Sequence, residues 1–475
     1  MRPFVILSLL AFTGPLCAAQ TLAAPDTAPG PTHVPKKLVS FDLSAIDTTA
    51  DPCTDFYQYA CGNWRKANPI PADQVRWGRF NELADRNLYL LYADLHKAAV
   101  RPSSALQTKY GSFFAACMNE DGANRLGAKP LQPQLALIDT LKSPKDLAAL
   151  NVQLSQRFGD PALLNIGVQQ DQKDSTRQIL ATGQGGLSLP DRDYYLTKDE
   201  RGETLRQQYV AHVTKMFTLL GDTPAQAAAE AAAVMKIETA LAEGSMSRVE
   251  MRDPAKRYHV MTVAEVEKLS PSYNWKQFLG GEGLGSVPSL NVSSPHFVET
   301  VNGQLESEPL SDIRSYLRWH ALHTAAPWLS KPFADENFAF FSATLQGQKE
   351  QQPRWKRCTR VTDAALGEAV GQDWVRENFP PAAKDNMEKL VKALEAALSE
   401  DINQLPWMSA DTKVQAQAKL KAFRQKIGYP DKWRDYSKLT VDRADLLGNI
   451  HAAKFLRIGA TSPSTASPST RPSGP

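Results

Sequence analysis

Helix signals with defined ends recur along most of this 475-residue chain and constrain its fold more than any other feature. Thr223 fits an N-cap, Pro224 the first helical position and Gln226 the third, which is typical of a capped helix start. The alanine-rich run that follows ends at Gly244. This pattern predicts a helix over 224–243.

Two further runs predict helices near the carboxyl end. Apolar residues recur at helical spacing between about 383 and 403, and we expect this helix to bury one face. Its apolar stripe consists of Met387, Leu390, Val391, Leu394, Leu398 and Ile402. The next helix is predicted between the N-cap Ser409 and Gly428, with Pro430 preventing continuation. The same signals place helices at about 79–98, 103–119, 201–220 and 309–325.

Strand signals are few. Two β-rich runs, 163–169 and 178–182, lie on either side of a polar turn and predict one hairpin. We therefore expect a mainly α chain with a minor β-hairpin. Its length allows either two lobes or one large helical domain.

The overall charge argues against a nucleic-acid partner. The formal net charge is only +3, and basic residues are spread among acidic ones rather than clustered. A nucleic-acid surface would require a basic patch.

The amino terminus has the features of a signal peptide. Arg2 supplies a positive charge, 4–12 is a short apolar run, and small residues precede Gln20. We expect residues 1–19 to be removed. The run is too short to span a bilayer, so no membrane anchor is expected after cleavage. A periplasmic or secreted location follows, where disulfides can form. Residues 20–38 are rich in proline and predict a flexible leader.

The carboxyl terminus changes character. From Ala460 onward, 12 of the last 16 residues are Pro, Ser or Thr, which is too polar to bury a core. We predict a disordered tail over 454–475 after a folded region over 39–453. Residues 446–455 still look like an element entering a fold, so the chain is expected to stop partway through one.

Candidate catalytic patterns are missing or weak. No His-Glu-x-x-His motif, which would bind zinc and activate water, occurs among the eight histidines. His320 and His323 lie one helical turn apart, but Ala321 stands where the glutamate would be, so packing is the favoured role. No Gly-x-Ser-x-Gly elbow marks a serine nucleophile. We expect Asp191 and Asp193 to order a turn rather than act in catalysis.

The aromatic residues near the amino terminus admit two interpretations. They are Phe56, Tyr57, Tyr59 and Trp64. Rings at these spacings could form a binding face, but the area that each ring buries favours the core.

Short motifs spread over the chain resemble those of one known family. They are 52–64 (PCTDFYQYACGNW), 68–71 (NPIP), 76–78 (RWG), 187–195 (LSLPDRDYY), 247–254 (SRVEMRDP), 336–338 (ENF), 353–358 (PRWKRC), 366–369 (LGEA) and 427–431 (IGYPD). In this order they resemble the amino-terminal half of the neprilysin and endothelin-converting-enzyme family of zinc metallopeptidases.

The resemblance implies a large helical cap lobe that covers a thermolysin-like catalytic lobe. In the full-length family zinc is the cofactor, and the two lobes enclose a chamber that admits oligopeptides. Residues 39–453 correspond to the cap. The zinc-binding and catalytic motifs come later in the family's order and do not occur in this sequence. The catalytic lobe would then be a missing partner, and no cofactor is expected in this chain itself.

The resemblance also assigns roles to individual residues. It implies that Cys117 pairs with Cys358. Cys53 and Cys61 match cysteines whose partners lie in the catalytic lobe, so we expect free thiols or a mutual pair. Arg76 matches an arginine at the edge of the substrate pocket, where a guanidinium can bind a peptide's carbonyl or carboxylate.

Asn81 departs from the family's pattern, because some relatives carry an aspartate there. The charge pattern beside Arg76 therefore differs from theirs.

Three hypotheses follow for the function. The first is a truncated, exported zinc metalloendopeptidase that is inactive alone because its catalytic residues are missing. The second is a non-catalytic module that binds peptides or a partner chain. The third is an intact enzyme whose gene is read out of frame near codon 453.

Overall fold

The computed structural model describes residues 28–38 and 41–461. The expected signal peptide, the start of the leader (20–27) and residues 462–475 of the predicted tail lie outside the described residues.

Helices dominate the described residues, as predicted. They are α1 (Phe56–Ala67), α2 (Arg79–Val100), α3 (Ala105–Met118), α4 (Glu120–Leu126), α5 (Gln132–Asp139), α6 (Leu147–Phe158), α7 (Asp193–Leu196), α8 (Glu200–Leu220), α9 (Pro224–Glu243), α10 (Val263–Leu269), α11 (Trp275–Gly281), α12 (Pro295–Ser307), α13 (Leu310–Ala325), α14 (Lys331–Phe338), α15 (Arg354–Asn378), α16 (Pro381–Gln404), α17 (Ala410–Lys421) and α18 (Leu446–Thr461). A π-helix, Ala339–Thr344, continues α14.

A small four-stranded sheet interrupts the helices. Its strands are β1 (Asn165–Gln170), β2 (Gln178–Gly183), β3 (Val260–Thr262) and β4 (Ser289–Val292), in the order β1-β2-β4-β3. β1 and β2 form the predicted antiparallel hairpin, while β4 runs parallel to β2 and antiparallel to β3. The sequence did not indicate β3 or β4, because strands of three and four residues are too short to show an alternating pattern.

The larger of two hydrophobic cores surrounds α9 and α13. The capping box of α9 is present as predicted, with Thr223 and Gln226 each bonded to the other's backbone. Trp275, Trp319 and Tyr209 are fully buried in this core. Each of these rings removes a large apolar area from water, so this core contributes strongly to the stability of the chain.

The second core joins α2, α3, α15 and α18. Leu95, Phe113 and Leu366 are completely buried there. A disulfide between Cys117 on α3 and Cys358 on α15 crosses this core, with a Cα–Cα distance of 5.5 Å and a sequence separation of 241.

The apolar stripe of α16 is exposed, and the predicted buried face is wrong. Met387, Leu390, Leu394 and Leu398 are 42–61% exposed, and within α16 only Ile402 is buried. The physical reason is that α16 packs chiefly on α17, and no described element covers the stripe.

α17 begins after Ser409 as predicted but ends earlier than predicted. Its last residue is Lys421, because the next amide, of Ala422, bonds to the carbonyl of Lys419 in a tighter turn. Gly428 does adopt a positive φ of 70°, but seven residues beyond the helix end.

Parts of both predicted terminal segments contact or continue the folded body. The Arg86 guanidinium donates to the carbonyl of Pro35 at 2.7 Å, and Ala28 packs on the second core, so residues 28–38 contact the folded body. At the other end α18 runs to Thr461, so residues 454–461 of the predicted tail are helical. Ala452 and Leu456 still pack on the second core and extend the helix beyond 453. Among the described residues, no helix has the length and apolar character needed to cross a membrane.

Candidate functional site

The segment between α1 and α2 is held in place by the chain that precedes α15. The carbonyl of Ala72 accepts hydrogen bonds from the amides of Lys349 and Glu350, at 3.2 and 3.0 Å. The Gln352 side chain donates to the carbonyl of Asp73 at 3.4 Å. These contacts fix the backbone a few residues before Arg76.

A half-buried lysine adds an electrostatic anchor. The Nζ atom of Lys356, on α15, lies 3.1 Å from Asp73 and 2.8 Å from Asp85 on α2. All three side chains are at most 16% exposed, so solvent screens these pairs less than it screens surface pairs. The lysine therefore ties the segment to both helices.

Arg76 itself is exposed and has no ion-pair or hydrogen-bond partner among the described residues. Its neighbour Arg79 differs, because Asp42 and Glu82 hold that guanidinium at 2.7 and 3.0 Å. Phe80, close by in sequence, is 89% exposed. An unpaired guanidinium on a fixed backbone is suited to bind a carboxylate or carbonyl oxygen.

The aromatic residues of α1 do not form a core, which corrects the favoured interpretation. Phe56 and Tyr57 are 68% and 63% exposed, while Tyr59 and Trp64 are half-buried. The reason is that α1 lies at the edge of the molecule and only its Gly62 is fully buried.

The cysteines of the same region are not joined to each other. Cys53 is exposed and Cys61 half-buried, and both are free thiols.

A second exposed apolar region lies on α16 and α17. We call the side chains of Met387, Leu390, Leu394 and Leu398 the α16 stripe. Trp407, in the turn after α16, is 73% exposed, and Val414 on α17 is 64% exposed. Exposed apolar side chains grouped in this way are typical of a surface that binds another protein or domain.

The residues present do not fit a zinc ion. Within the described ranges, no group of three His, Cys, Asp or Glu side chains could hold a metal. The Nε2 atom of His320 lies 3.0 Å from Glu238, whereas His323 packs against Trp319 and Phe341. Burial, with smaller effects of His320 and His212, lowers the pKa of His323 to about 3. The two histidines thus serve separate contacts.

A buried carboxylate at the centre of the large core was missed by the sequence analysis. Glu238 on α9 is inaccessible to solvent and accepts hydrogen bonds from Tyr195 at 2.8 Å, Tyr209 at 2.7 Å and Ser188 at 2.7 Å. Burial and the nearby Glu238 raise the pKa of both tyrosines well above the usual value, so they remain donors. The signal was available, because Val234 and Leu241 place position 238 on the buried face.

Asp191 and Asp193 order a turn, as expected. The Asp191 carboxylate accepts from the amide of Asp193 at 2.7 Å and pairs with Arg248. They border an open cavity of about 740 Å³ between α8 and the end of the π-helix. These contacts are those of a turn and do not indicate acid–base chemistry.

The sequence matches one family model. Residues 52–430 match the model described as Peptidase family M13. The chain is 30% identical over 401 residues to endothelin-converting enzyme 1 of Homo sapiens, covering 82% of this chain and 52% of that protein. It is 28% identical over 424 residues to Neprilysin-3 of Drosophila melanogaster, covering 85% and 54%. The chain thus spans about half the length of the curated relatives it matches.

A solved structure is similar over the same region. It is the crystal structure of the Mycobacterium tuberculosis zinc metalloprotease Zmp1 in complex with an inhibitor. The TM-score is 0.82 at 32% sequence identity, and the match covers 88% of this chain and 64% of that chain.

Proposed function

The chain belongs to peptidase family M13, and from this premise we propose that it is the amino-terminal part of an exported zinc metalloendopeptidase that acts on oligopeptides. Its own contribution is to receive the peptide. The observation that carries this proposal is Arg76, which is exposed, unpaired in the described structure and set on an anchored segment. The domain over 39–453 is proposed as the family's cap.

Arg76 acts by binding the peptide's main chain or its carboxyl terminus. A guanidinium presents parallel N–H donors that match a carboxylate in a two-point contact. Because Lys356 and the loop at 349–352 hold the preceding backbone, the backbone that carries Arg76 loses little freedom on binding. This pre-organisation lowers the entropic cost of binding and so favours affinity.

Hydrolysis requires residues outside this sequence. In the family, zinc supplies an activated water and polarises the scissile carbonyl. This sequence contains no His-Glu-x-x-His motif, and the donor groups of the described residues do not fit the ion. We therefore propose that the chain has no peptidase activity alone.

The catalytic part of the family is the proposed partner of the α16 stripe, whether on the same polypeptide or on another. Four large apolar side chains at helical spacing form this surface. Their burial against a partner would contribute about 25 cal/mol for each Å² removed from water. The free thiols Cys53 and Cys61 are proposed to pair with cysteines of that same part.

A periplasmic or secreted location fits the chemistry. The Cys117–Cys358 disulfide is stable in an oxidising compartment. The signal-peptide features of residues 1–19 support the same assignment.

Fluorescence anisotropy with labelled oligopeptides tests this function. Peptides with a free carboxyl terminus should bind, and Arg76→Gln should weaken binding by about 10-fold or more, as expected for a lost charge-assisted hydrogen bond. Arg101→Gln is the matched control, because Arg101 is also exposed and lies at the far end of α2. Equal binding by wild type and Arg76→Gln would contradict the role of Arg76.

A further inference from the structure

A second open cavity lies beside the turn formed by Asp191 and Asp193. Its volume is about 630 Å³, and its walls are the loop between β2 and α7 and the segment that follows α9. These two stretches contain the motifs 187–195 and 247–254, to which the proposed function gives no role. The charged residues that line the cavity are Arg192, Arg248, Arg252 and Asp191.

Two cross-links hold the walls of this cavity together. The Gln184 side chain donates to the carbonyl of Met246 at 3.2 Å and accepts from the amide of the same residue at 2.8 Å. The Arg192 guanidinium donates to the carbonyl of Ser245 at 2.9 Å. The lining side chains are therefore carried by two stretches of backbone that are fixed relative to each other.

Positive charge exceeds negative charge in the lining. Asp191 is the one carboxylate among the described lining residues, and it is already paired with Arg248. Arg252 is exposed, and its guanidinium has no hydrogen-bond or ion-pair partner among the described residues. Arg192 bonds to Ser245 through Nη1, whereas its Nη2 atom has no partner within the described part of the chain and is accessible. Two guanidinium groups are thus available to an anion.

Other charges near the cavity do not cancel this excess. Glu250 accepts hydrogen bonds from the amide and hydroxyl of Ser247, which lower the pKa of its carboxyl group, with smaller effects of Lys256 and Arg192. Asp253 accepts a backbone amide of its own turn. Each of these carboxylates is bonded within its turn, and Lys256 offsets one of them, so the local charge stays positive.

The cavity also has an apolar wall. Its apolar lining residues include Leu187, Leu189, Met246 and Met251. A guanidinium binds a carboxylate through parallel N–H donors, while the methylene groups next to that carboxylate can pack on an apolar wall. A mixed lining of this kind suits an organic anion better than a small inorganic ion, which has no apolar surface to bury.

The cavity is connected to the surface that carries Arg76. It shares Asp191 with the 740 Å³ cavity between α8 and the end of the π-helix. Leu345 borders that larger cavity, and the amide of Lys349, four positions further along, bonds to the carbonyl of Ala72. At most about 14 Å of chain therefore links the larger cavity to the segment that carries Arg76.

We propose that this arginine-lined cavity binds an acidic side chain of the oligopeptide that the chain receives. The inference rests on the proposed function and adds a substrate class to it, namely peptides with Asp or Glu at one position. The carboxylate accepts hydrogen bonds from Arg252 and from the Nη2 atom of Arg192. The methylene groups of the acidic side chain lie against Met246 and Met251.

Fluorescence anisotropy of the whole chain with a positional series of labelled peptides tests the proposal. The parent peptide has about 12 residues, neutral side chains and a free carboxyl terminus, and glutamate replaces glutamine at each position in turn. Binding should tighten about 5-fold at one position or two neighbouring positions, as expected for a charge-assisted contact at a partly exposed site. Equal gains at every position would indicate general attraction between opposite charges and would overturn the proposal.

Variants of Arg252 assign the contact. Arg252→Gln should abolish the gain from glutamate and leave the affinity of the neutral peptide unchanged. Lys256→Gln is the matched control and should keep the gain, because Lys256 is also exposed but does not line the cavity. Arg252→Glu should reverse the preference, so that lysine at the same peptide position binds more tightly than glutamate. An unchanged gain in Arg252→Gln would overturn the proposal.

The outcomes also separate this inference from the proposed function. If the neutral peptide binds through Arg76 but glutamate gives no gain at any position, only the acidic-side-chain site is overturned. If no peptide binds, the proposed function fails and this inference fails with it.

Discussion

α9 and α16 are helices of similar length whose apolar residues have opposite environments. α9 has 20 residues and buries eight of them, including Val234 and Leu241, whereas α16 has 24 residues and buries only Ile402. Both helices follow the local rules of helix formation. The difference shows that helical periodicity identifies the apolar face of a helix. It does not show whether another element packs against that face.

The packing around each helix explains the contrast. α9 lies among α8, α12 and α13, and its Glu238 is satisfied from three directions. α16 contacts mainly α17, and its stripe has no cover within the described structure. The first region is a completed core, and the second is an exposed apolar surface.

The largest expected effect on stability comes from the buried, disulfide-bonded cysteines, compared with an exposed free cysteine. Replacing both Cys117 and Cys358 with alanine should lower the free energy of unfolding by up to about 5 kcal/mol, because the disulfide closes a long loop. Cys53→Ser, at an exposed free thiol, is the control and should change stability by less than about 0.5 kcal/mol. Urea denaturation measures both. Equal losses would mean that the exposed cysteine is structurally engaged.

A matched leucine pair tests the comparison directly. Leu241→Ala on α9 removes a completely buried side chain and should cost about 3 kcal/mol of unfolding free energy. Leu394→Ala on α16 removes a side chain that is 61% exposed and should cost less than about 0.5 kcal/mol. Urea denaturation of both variants gives the values. A large loss in Leu394→Ala would show that the stripe is covered in solution.

Acid should weaken the large core through His323. Its pKa is lowered to about 3, so it stays neutral in the folded state while the unfolded chain takes up a proton near pH 6.5. Stability is therefore fully present above pH 6.5 and is lost as pH falls toward 3. The loss should be about 2 kcal/mol between pH 6.5 and 5.

Replacement of the histidine separates this effect from other titrations. His323→Gln should reduce the loss of unfolding free energy between pH 6.5 and 5, measured by urea denaturation at each pH. His296→Gln is the control, because His296 is 76% exposed on α12. An unchanged pH dependence in His323→Gln would argue against a buried neutral imidazole.

The smallest effect on stability is expected for polar substitutions in the stripe. Leu390→Gln combined with Leu398→Gln should change the unfolding free energy by less than about 0.5 kcal/mol, because both side chains already contact water. The same variant should bind less of an apolar fluorescent dye and associate less in sedimentation. Unchanged dye binding would mean that the stripe is not the accessible apolar surface.

Local signals in the sequence predicted much of the fold. The capping box at Thr223 and the β1–β2 hairpin are confirmed, because capping and alternation are encoded within a few residues. Which apolar side chains are buried was harder to predict. The exposure of Phe56 and of the α16 stripe depends on which elements come near, which a single periodic run does not encode.

The candidate site was predictable only in part. Arg76 came from the resemblance, while the anchors at Ala72 and Lys356 join residues about 280 positions apart and leave no local pattern. A buried glutamine or glutamate on an apolar helix face is the signal that a sequence reader could have used.

The most direct test of the account is a peptidase assay on the purified chain. An internally quenched fluorescent oligopeptide is incubated with the chain and Zn²⁺, with and without a chelator. We expect peptide binding that depends on Arg76 and no chelator-sensitive cleavage. Chelator-sensitive cleavage by the purified chain would contradict the claim that this chain binds the peptide but does not hydrolyse it.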